Sequence, residues 1–312
     1  MRTGHGEAAP PVRAGRLWRY LNFAAAPLIG IWLAFHLVPQ APLIDDMAYW
    51  GTRDGILYER TWNEAAAYVY SPAFAQLLVP FTALPYMAFH VGLSVVQLAV
   101  VLWLIGPLLT LGFLLVPFLG GSYIWNGNIT PLLCVALVWR AWPLIVLTKI
   151  LPGVTLGWYV GARDWRGLAV SLWALIGIVA VSLALWPAAW FDWADALTRA
   201  QAAERLGWQI PLALRLPAAL ALSVYAGHSG KRWLLAPAAM LSMADIWWSG
   251  LVWLIAIPRL RRHDPVHEAV HDEEVPRRAG LRPVHGDLVV RSAVVHQRAD
   301  RRRVNAPGAR SA

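Results

Sequence analysis

Between residues 17 and 257 the chain is a succession of apolar runs, and no polar stretch between them is long enough to bury a core of its own. The runs fall at 17–38, 72–85, 87–106, 107–124, 129–142, 143–160, 167–186, 210–227 and 232–257. A straight helix needs about 20 apolar residues to cross a bilayer. Several runs are shorter, which predicts tilted, broken or re-entrant helices packed against their neighbours. The last run is expected to break at Pro237 and Asp245. The expected fold class is an all-α integral membrane protein, a polytopic bundle of about 8–10 transmembrane or re-entrant helices.

Composition excludes an ordinary water-soluble globule. Of 312 residues, 58% are hydrophobic and 14% charged, against roughly 45–50% and about 25% in soluble domains. The formal net charge of +9 would point to nucleic acid only if the basic residues covered a folded polar domain. Instead, 259–312 holds 12 Arg against 7 acidic residues, and other basic residues flank apolar runs. That distribution speaks against a nucleic-acid partner and for membrane lipids, which the RLRR stretch at 259–262 suits. Cys134 is the single cysteine, so neither a disulfide framework nor a cysteine metal site is available.

Three regions follow: an N-terminal segment 1–16, a membrane domain 17–260, and an Arg-rich tail 261–312 whose composition predicts disorder. The run at 17–38 continues well past the small residues Ala24 to Ala26, so it reads as an uncleaved anchor. The positive-inside rule keeps the Arg-rich N-terminus cytoplasmic and puts the acidic connection 39–71 outside. Small basic loops at 161–166 and 228–232 mark the cytoplasmic face. The stretch 187–209 reads as an amphipathic helix on the outer face, with Trp186, Trp190 and Trp193 as interfacial residues. A multi-pass plasma-membrane protein is expected.

Polar groups at helix depth cost several kcal/mol unless they face a partner or a watery cavity. They are His36, His90, Asn126, Asn128, Arg140, Lys149 and Asp245. Asp45 and Asp46 add a carboxylate pair beyond the first helix, able to act as a general base, to bind a metal, or simply to be solvated. Lys149, followed by Pro152 and Gly153, suits a phosphate at the membrane surface or a snorkelling lysine. Asn126 and Asn128 flank Gly127, where amides bind sugar hydroxyls or cap the next helix. Asp245 faces either the same cavity or the interface beside Trp247 and Trp248. Most of the 19 tryptophans are explained by interfacial belts. The chain has no P-loop, no GxGxxG after a strand, no HExxH and no nucleophile-elbow serine, so nucleotide-driven transport and hydrolase chemistry lack their usual signatures.

Five features in order carry a resemblance: the apolar anchor, DDMAYW with LY seven residues on (45–58), YSPAFAQLLVPFTALP (70–85), GNITPLL (127–133) and LTKILPGVTLGWYVGARDWRGL (147–168); it continues through IPLALRLPAALAL (210–222) and IWWSGLVWLIAIPRL (246–260). Together they resemble glycosyltransferase family 87 over nearly all of 17–260. These are multi-spanning GT-C enzymes, among them polyprenol-phosphate-mannose-dependent mannosyltransferases and related arabinofuranosyltransferases.

The resemblance implies a GT-C-like bundle that moves a mannose-like or pentose sugar from a polyprenyl-phosphate donor to a lipid-linked or cell-envelope glycan acceptor, with inversion and without a cofactor or metal. It puts the acid of the family's D-x-x-x-Y pattern on Asp45, with Tyr49 as aromatic partner and adjacent Asp46 as the alternative base. The family's Tyr-Pro-Pro reads Tyr70, Ser71, Pro72 here, and its Gly-Gln-x-Asn reads Gly127, Asn128, Ile129, Thr130. Lys149 falls on the family's lysine before a proline. Lys149 and Arg215 are the implied cations for the donor phosphate, and Tyr49, Tyr70, Asn126 and Asn128 the other substrate-binding residues. The alternatives are a flippase of a polyprenyl-linked intermediate and a catalytically degenerate scaffold member.

Overall fold

Proline and glycine punctuate the apolar sequence, and several helices begin or end at them. A computed structural model describes residues 12–36, 44–55, 57–60, 64, 66–116, 124, 126–202, 210–244 and 248–262. Asp245, the side chain of His36 and the tail beyond Arg262 lie outside the described residues.

Thirteen α-helices occur among the described residues, and no strand does. The first five are α1 (Val12–His36), α2 (Ile44–Trp50), α3 (Pro72–Thr82), α4 (Tyr86–Ile105) and α5 (Pro107–Leu115). Then come α6 (Thr130–Trp139), α7 (Trp142–Thr148), α8 (Gly157–Ala162), α9 (Trp165–Leu185) and α10 (Pro187–Ala202). The last three are α11 (Leu212–Ser229), α12 (Leu235–Ser242) and α13 (Ile257–Arg262). Tighter 3-10 turns occupy Gly51–Asp54, Leu151–Leu156, Arg232–Leu234 and Trp248–Ala256.

The expected boundaries between runs are largely where the helices end. Gly106, at φ +80°, separates α4 from α5, and Pro107 starts the next helix where its missing N–H costs nothing. The run 143–160 is broken into α7, a 3-10 turn and α8 around Pro152. Pro237 behaves differently from expectation. It sits in the first turn of α12, where the amide has no intrahelical acceptor, so the break comes after Ser242 instead. The connection 39–71, expected as a loop, contains the seven-residue α2, too short to show periodicity.

Among the described residues two helices, α4 and α9, are long and apolar enough to cross a membrane. α9 is built inside out: its buried side chains are Ser171 and Ser182, at 8% and 2% exposure, while Trp173 and Leu185 stand 71% and 72% exposed. On α4 the buried face mixes Phe89, Leu98, Val101 and Leu104 with His90, Ser94 and Gln97, while Met87, Val95 and Val96 are exposed. Water would penalise this arrangement; hydrocarbon would not.

Contacts at the two ends of α4 differ. Near its start, Tyr86 and His90 meet Asp46 of α2. Near its end, Arg259 donates to the Trp103 carbonyl at 2.6 Å and lies over the Trp103 ring, which also meets Trp139 at the end of α6. Arg232 donates to the Val138 carbonyl of α6.

α3 does not fit a crossing helix. It has 11 residues, about 16 Å at 1.5 Å per residue. Both of its flanks bind α2: Tyr70 through Tyr49, and the Leu84 carbonyl through the Trp50 indole at 2.9 Å. The connection 39–71 and the stretch 187–209, both expected on the outer face, touch one another. In α10, Arg199 donates to the Tyr58 carbonyl at 3.0 Å, and the Trp193 indole donates to the Val69 carbonyl. Trp190 turns inward as well, donating to Ser182 Oγ, so these two tryptophans hold protein to protein.

The tightest crossing joins α8 to α11. A Cβ on Gly161 would lie 1.8 Å from the Val224 carbonyl oxygen, and one on Gly227 would lie 2.1 Å from that of Trp158. Gly157 faces Ser223 in the same seam. Small residues four apart on both helices allow backbone-to-backbone packing, the device by which helices associate where apolar burial gives no drive.

Candidate functional site

The site forms where α2 meets the residues leading into α6. Asp45 and Asp46 supply the first amides of α2, which have no intrahelical acceptor. Both donate to the Asn126 carbonyl at 3.2 Å. Gly127 follows at φ +72°, a left-handed conformation that favours glycine. A Cβ there would lie 2.5 Å from Asp46 Cβ, so only glycine lets this turn close against α2.

The two aspartates have opposite surroundings. Asp46 is fully buried, and its Oδ2 lies 2.7 Å from His90 Nδ1 and accepts from the Tyr86 hydroxyl at 3.1 Å. Its Oδ1 has no hydrogen-bond partner among the described residues. Asp45 is half-buried. Its Oδ2 accepts from the Asn128 side-chain amide at 2.7 Å. That amide is fixed because Asn128 Oδ1 accepts from both the backbone N–H and the hydroxyl of Thr130.

Lys149 follows the last residue of α7 and is half-buried. Its ammonium and the Asp45 carboxylate interact through space without forming an ion pair. Burial pushes the Asp45 carboxyl above its ordinary value; Lys149 and Asn128 pull it back, and the charge of Asp46 adds slightly to the rise. An exposed carboxylate is a weak base near neutrality, and a partly desolvated one is a better base.

Tyr49 and Tyr70 form a wall rather than a rim. Both are buried, the Tyr49 hydroxyl donates to that of Tyr70 at 2.9 Å, and their rings pack with centroids 5.3 Å apart. Tyr58 donates to the Tyr70 carbonyl at 2.7 Å, and Tyr68 to the Ser71 carbonyl at 3.0 Å. Ser71 caps α3 by accepting from the Phe74 amide and donates to the Leu147 carbonyl, which ties the wall to α7 two residues before Lys149.

The structure therefore brings Asp45, Asp46, Asn126, Asn128 and Lys149 together, with Tyr49 and Tyr70 behind them. Arg215 has other work. Its guanidinium, 4% exposed, donates to the carbonyls of Ile210, Leu241, Met243 and Ala244, closing the C-terminal end of α12. Arg140, expected at helix depth, is exposed and ends α6 in the left-handed conformation. Sequence reasoning missed Tyr86, Tyr58 and Tyr68 as partners of this region. His90 stood out in the sequence, but its pairing with Asp46 crosses 44 residues and has no local signal.

No family model matches the chain, and neither do any of the curated proteins or solved structures compared with it.

Proposed function

We propose that the chain is a polytopic membrane glycosyltransferase of GT-C type, moving a mannose-like or pentose sugar from a polyprenyl phosphate to a lipid-linked or cell-envelope acceptor on the outer face. The observation that carries this reading is the Asp45 carboxylate, half-buried and oriented by Asn128 at 2.7 Å, with the Lys149 charge acting on it. A base and a cation in one site fit the two needs of a displacement. The inside-out helix α9 and the seam between α8 and α11 support the membrane setting.

In this reading the acceptor hydroxyl attacks the anomeric carbon from the face opposite the phosphate. The new C–O bond forms as the bond to the phosphate oxygen breaks, the configuration inverts, and the hydroxyl proton passes to Asp45. The leaving polyprenyl phosphate gathers charge on its oxygens, which Lys149 stabilises as a point charge. Asp46 acts as a strut, because its carboxylate is enclosed by His90 and Tyr86. Arg215 holds α11 to the end of α12 and has no role at the phosphate.

Reconstitution with a panel of radiolabelled polyprenyl-phosphate sugars and a crude lipid extract tests the reading. Release of polyprenyl phosphate together with a labelled acceptor is expected. Movement of intact donor between leaflets without its cleavage would contradict it and favour a flippase.

A further inference from the structure

A cavity of about 330 Å³ lies on another side of α2, lined by Met47, Ala48, Trp50, Gly51, Asp54, Leu57, Glu59, Arg60, Ala66 and Tyr68. At 3.6 residues per turn, Met47 and Trp50 project from roughly the opposite side of the helix from Asp45. The space is thus separate from the carboxylate discussed above.

We propose that this cavity binds a neutral glycosyl unit. Its floor is apolar, formed by the buried Ala48, Leu57 and Tyr68, and its mouth carries the exposed Asp54, Glu59 and Arg60. A sugar ring has the matching form, with a C–H face for the floor and a rim of hydroxyls that both donate and accept. Carboxylates take the donors and a guanidinium serves the acceptors. The charges argue against an anion: Asp54 and Glu59 face one arginine in the lining, and Arg53 outside it donates to Asp54 at 3.3 Å.

The walls are also fixed before any ligand arrives. The Trp50 indole N–H is bound to the Leu84 carbonyl, and its ring lies between Arg53, at 3.8 Å, and Tyr86. Tyr68 is held by its hydroxyl to the Ser71 carbonyl and by its ring against Tyr58. Preset walls lower the ordering cost of binding, and the volume falls at the small end of the roughly 300–1,000 Å³ typical of ligand sites.

The inference goes beyond the transferase reading and does not depend on it, since binding is measured with no donor present. Gly51 offers a clean probe. A Cβ there meets nothing within 4 Å and its backbone is not left-handed, so a larger side chain can enter the cavity without strain.

Saturation-transfer NMR on the solubilised full-length chain would use methyl α-mannopyranoside, methyl β-glucopyranoside, methyl α-arabinofuranoside and inorganic phosphate. We expect saturable contact with at least one glycoside and none with phosphate. Affinity should fall about tenfold in Gly51→Phe and about threefold in Glu59→Gln, and stay unchanged in Gly177→Ala, where a Cβ meets nothing within 4 Å. An unshifted melting temperature checks the fold of Gly51→Phe, and Gly51→Leu replaces it if that variant does not fold. The proposal is overturned if no glycoside binds, if phosphate competes, or if binding survives filling the cavity in a folded variant.

Discussion

Asp46 Oδ2 and His90 Nδ1 lie 2.7 Å apart with both side chains buried, and the Tyr86 hydroxyl completes the cluster. This contact fastens α2 to α4. Removing the carboxylate leaves the buried imidazole without that acceptor, at a typical cost of about 1–3 kcal/mol, and frees the part-buried Tyr86 hydroxyl. Asp46→Ala is therefore expected to lower the thermal midpoint markedly in detergent, with Asp46→Asn milder. Asp45→Asn, at a half-buried position, should unfold within about 0.5 kcal/mol of the parent. Equal destabilisation at both positions would refute the division of roles.

The α8–α11 seam makes a sharp steric prediction. Gly161→Ala would drive a methyl to 1.8 Å from the Val224 carbonyl, so the helices must separate, at a cost of about 3 kcal/mol or more, in the range of strong overpacking. Gly177→Ala, in α9 where a Cβ meets nothing within 4 Å, should be neutral or stabilising by up to about 1 kcal/mol. Comparing the two melting curves separates steric contact from helix propensity.

Much of the helix pattern is legible in the sequence, because proline and glycine act locally. Gly106 and Pro107 part α4 from α5, and Pro152 starts the turn between α7 and α8, with no tertiary information needed. Asp45 and Lys149 were legible as rare charges in an apolar chain. Which aspartate is reachable was not legible, since it depends on His90 and Tyr86, forty residues on in another helix. Pro237 misled because a proline's effect depends on its position in the helix, and in a first turn it breaks nothing. Arg215 misled because its charge stood out, while the carbonyls that occupy it belong to 210 and 241–244.

Arg215 offers a stability test against a binding test. Hydrogen bonds from a charged donor contribute about 1.5–3 kcal/mol each, and lysine cannot reproduce the guanidinium fork. Arg215→Lys and Arg215→Ala should both unfold early, with the residual folded protein keeping the parent KM for donor in the proposed transfer. A raised KM with unchanged stability would instead return Arg215 to the donor phosphate.

The proposed transfer is expected to depend on pH through the Asp45 surroundings. A base must be ionised to work, so activity rises with pH through the Asp45 pKa, and burial puts that limb above the ordinary carboxylate value of 3.8. Lys149 and Asn128 both favour the charged form. In Lys149→Gln and Asn128→Ala the acidic limb of the residual activity should therefore move to higher pH, and a shift to lower pH would contradict the arrangement.

The central claim is that Asp45 accepts the acceptor proton, and single-turnover transfer by Asp45→Asn in proteoliposomes tests it most directly. Loss of a positioned general base typically costs about 10²–10⁴ in rate. We predict a fall in that range with donor binding and melting temperature unchanged, while Asp46→Asn, corrected for its folded fraction, keeps most of its rate. Full activity in Asp45→Asn would contradict the account.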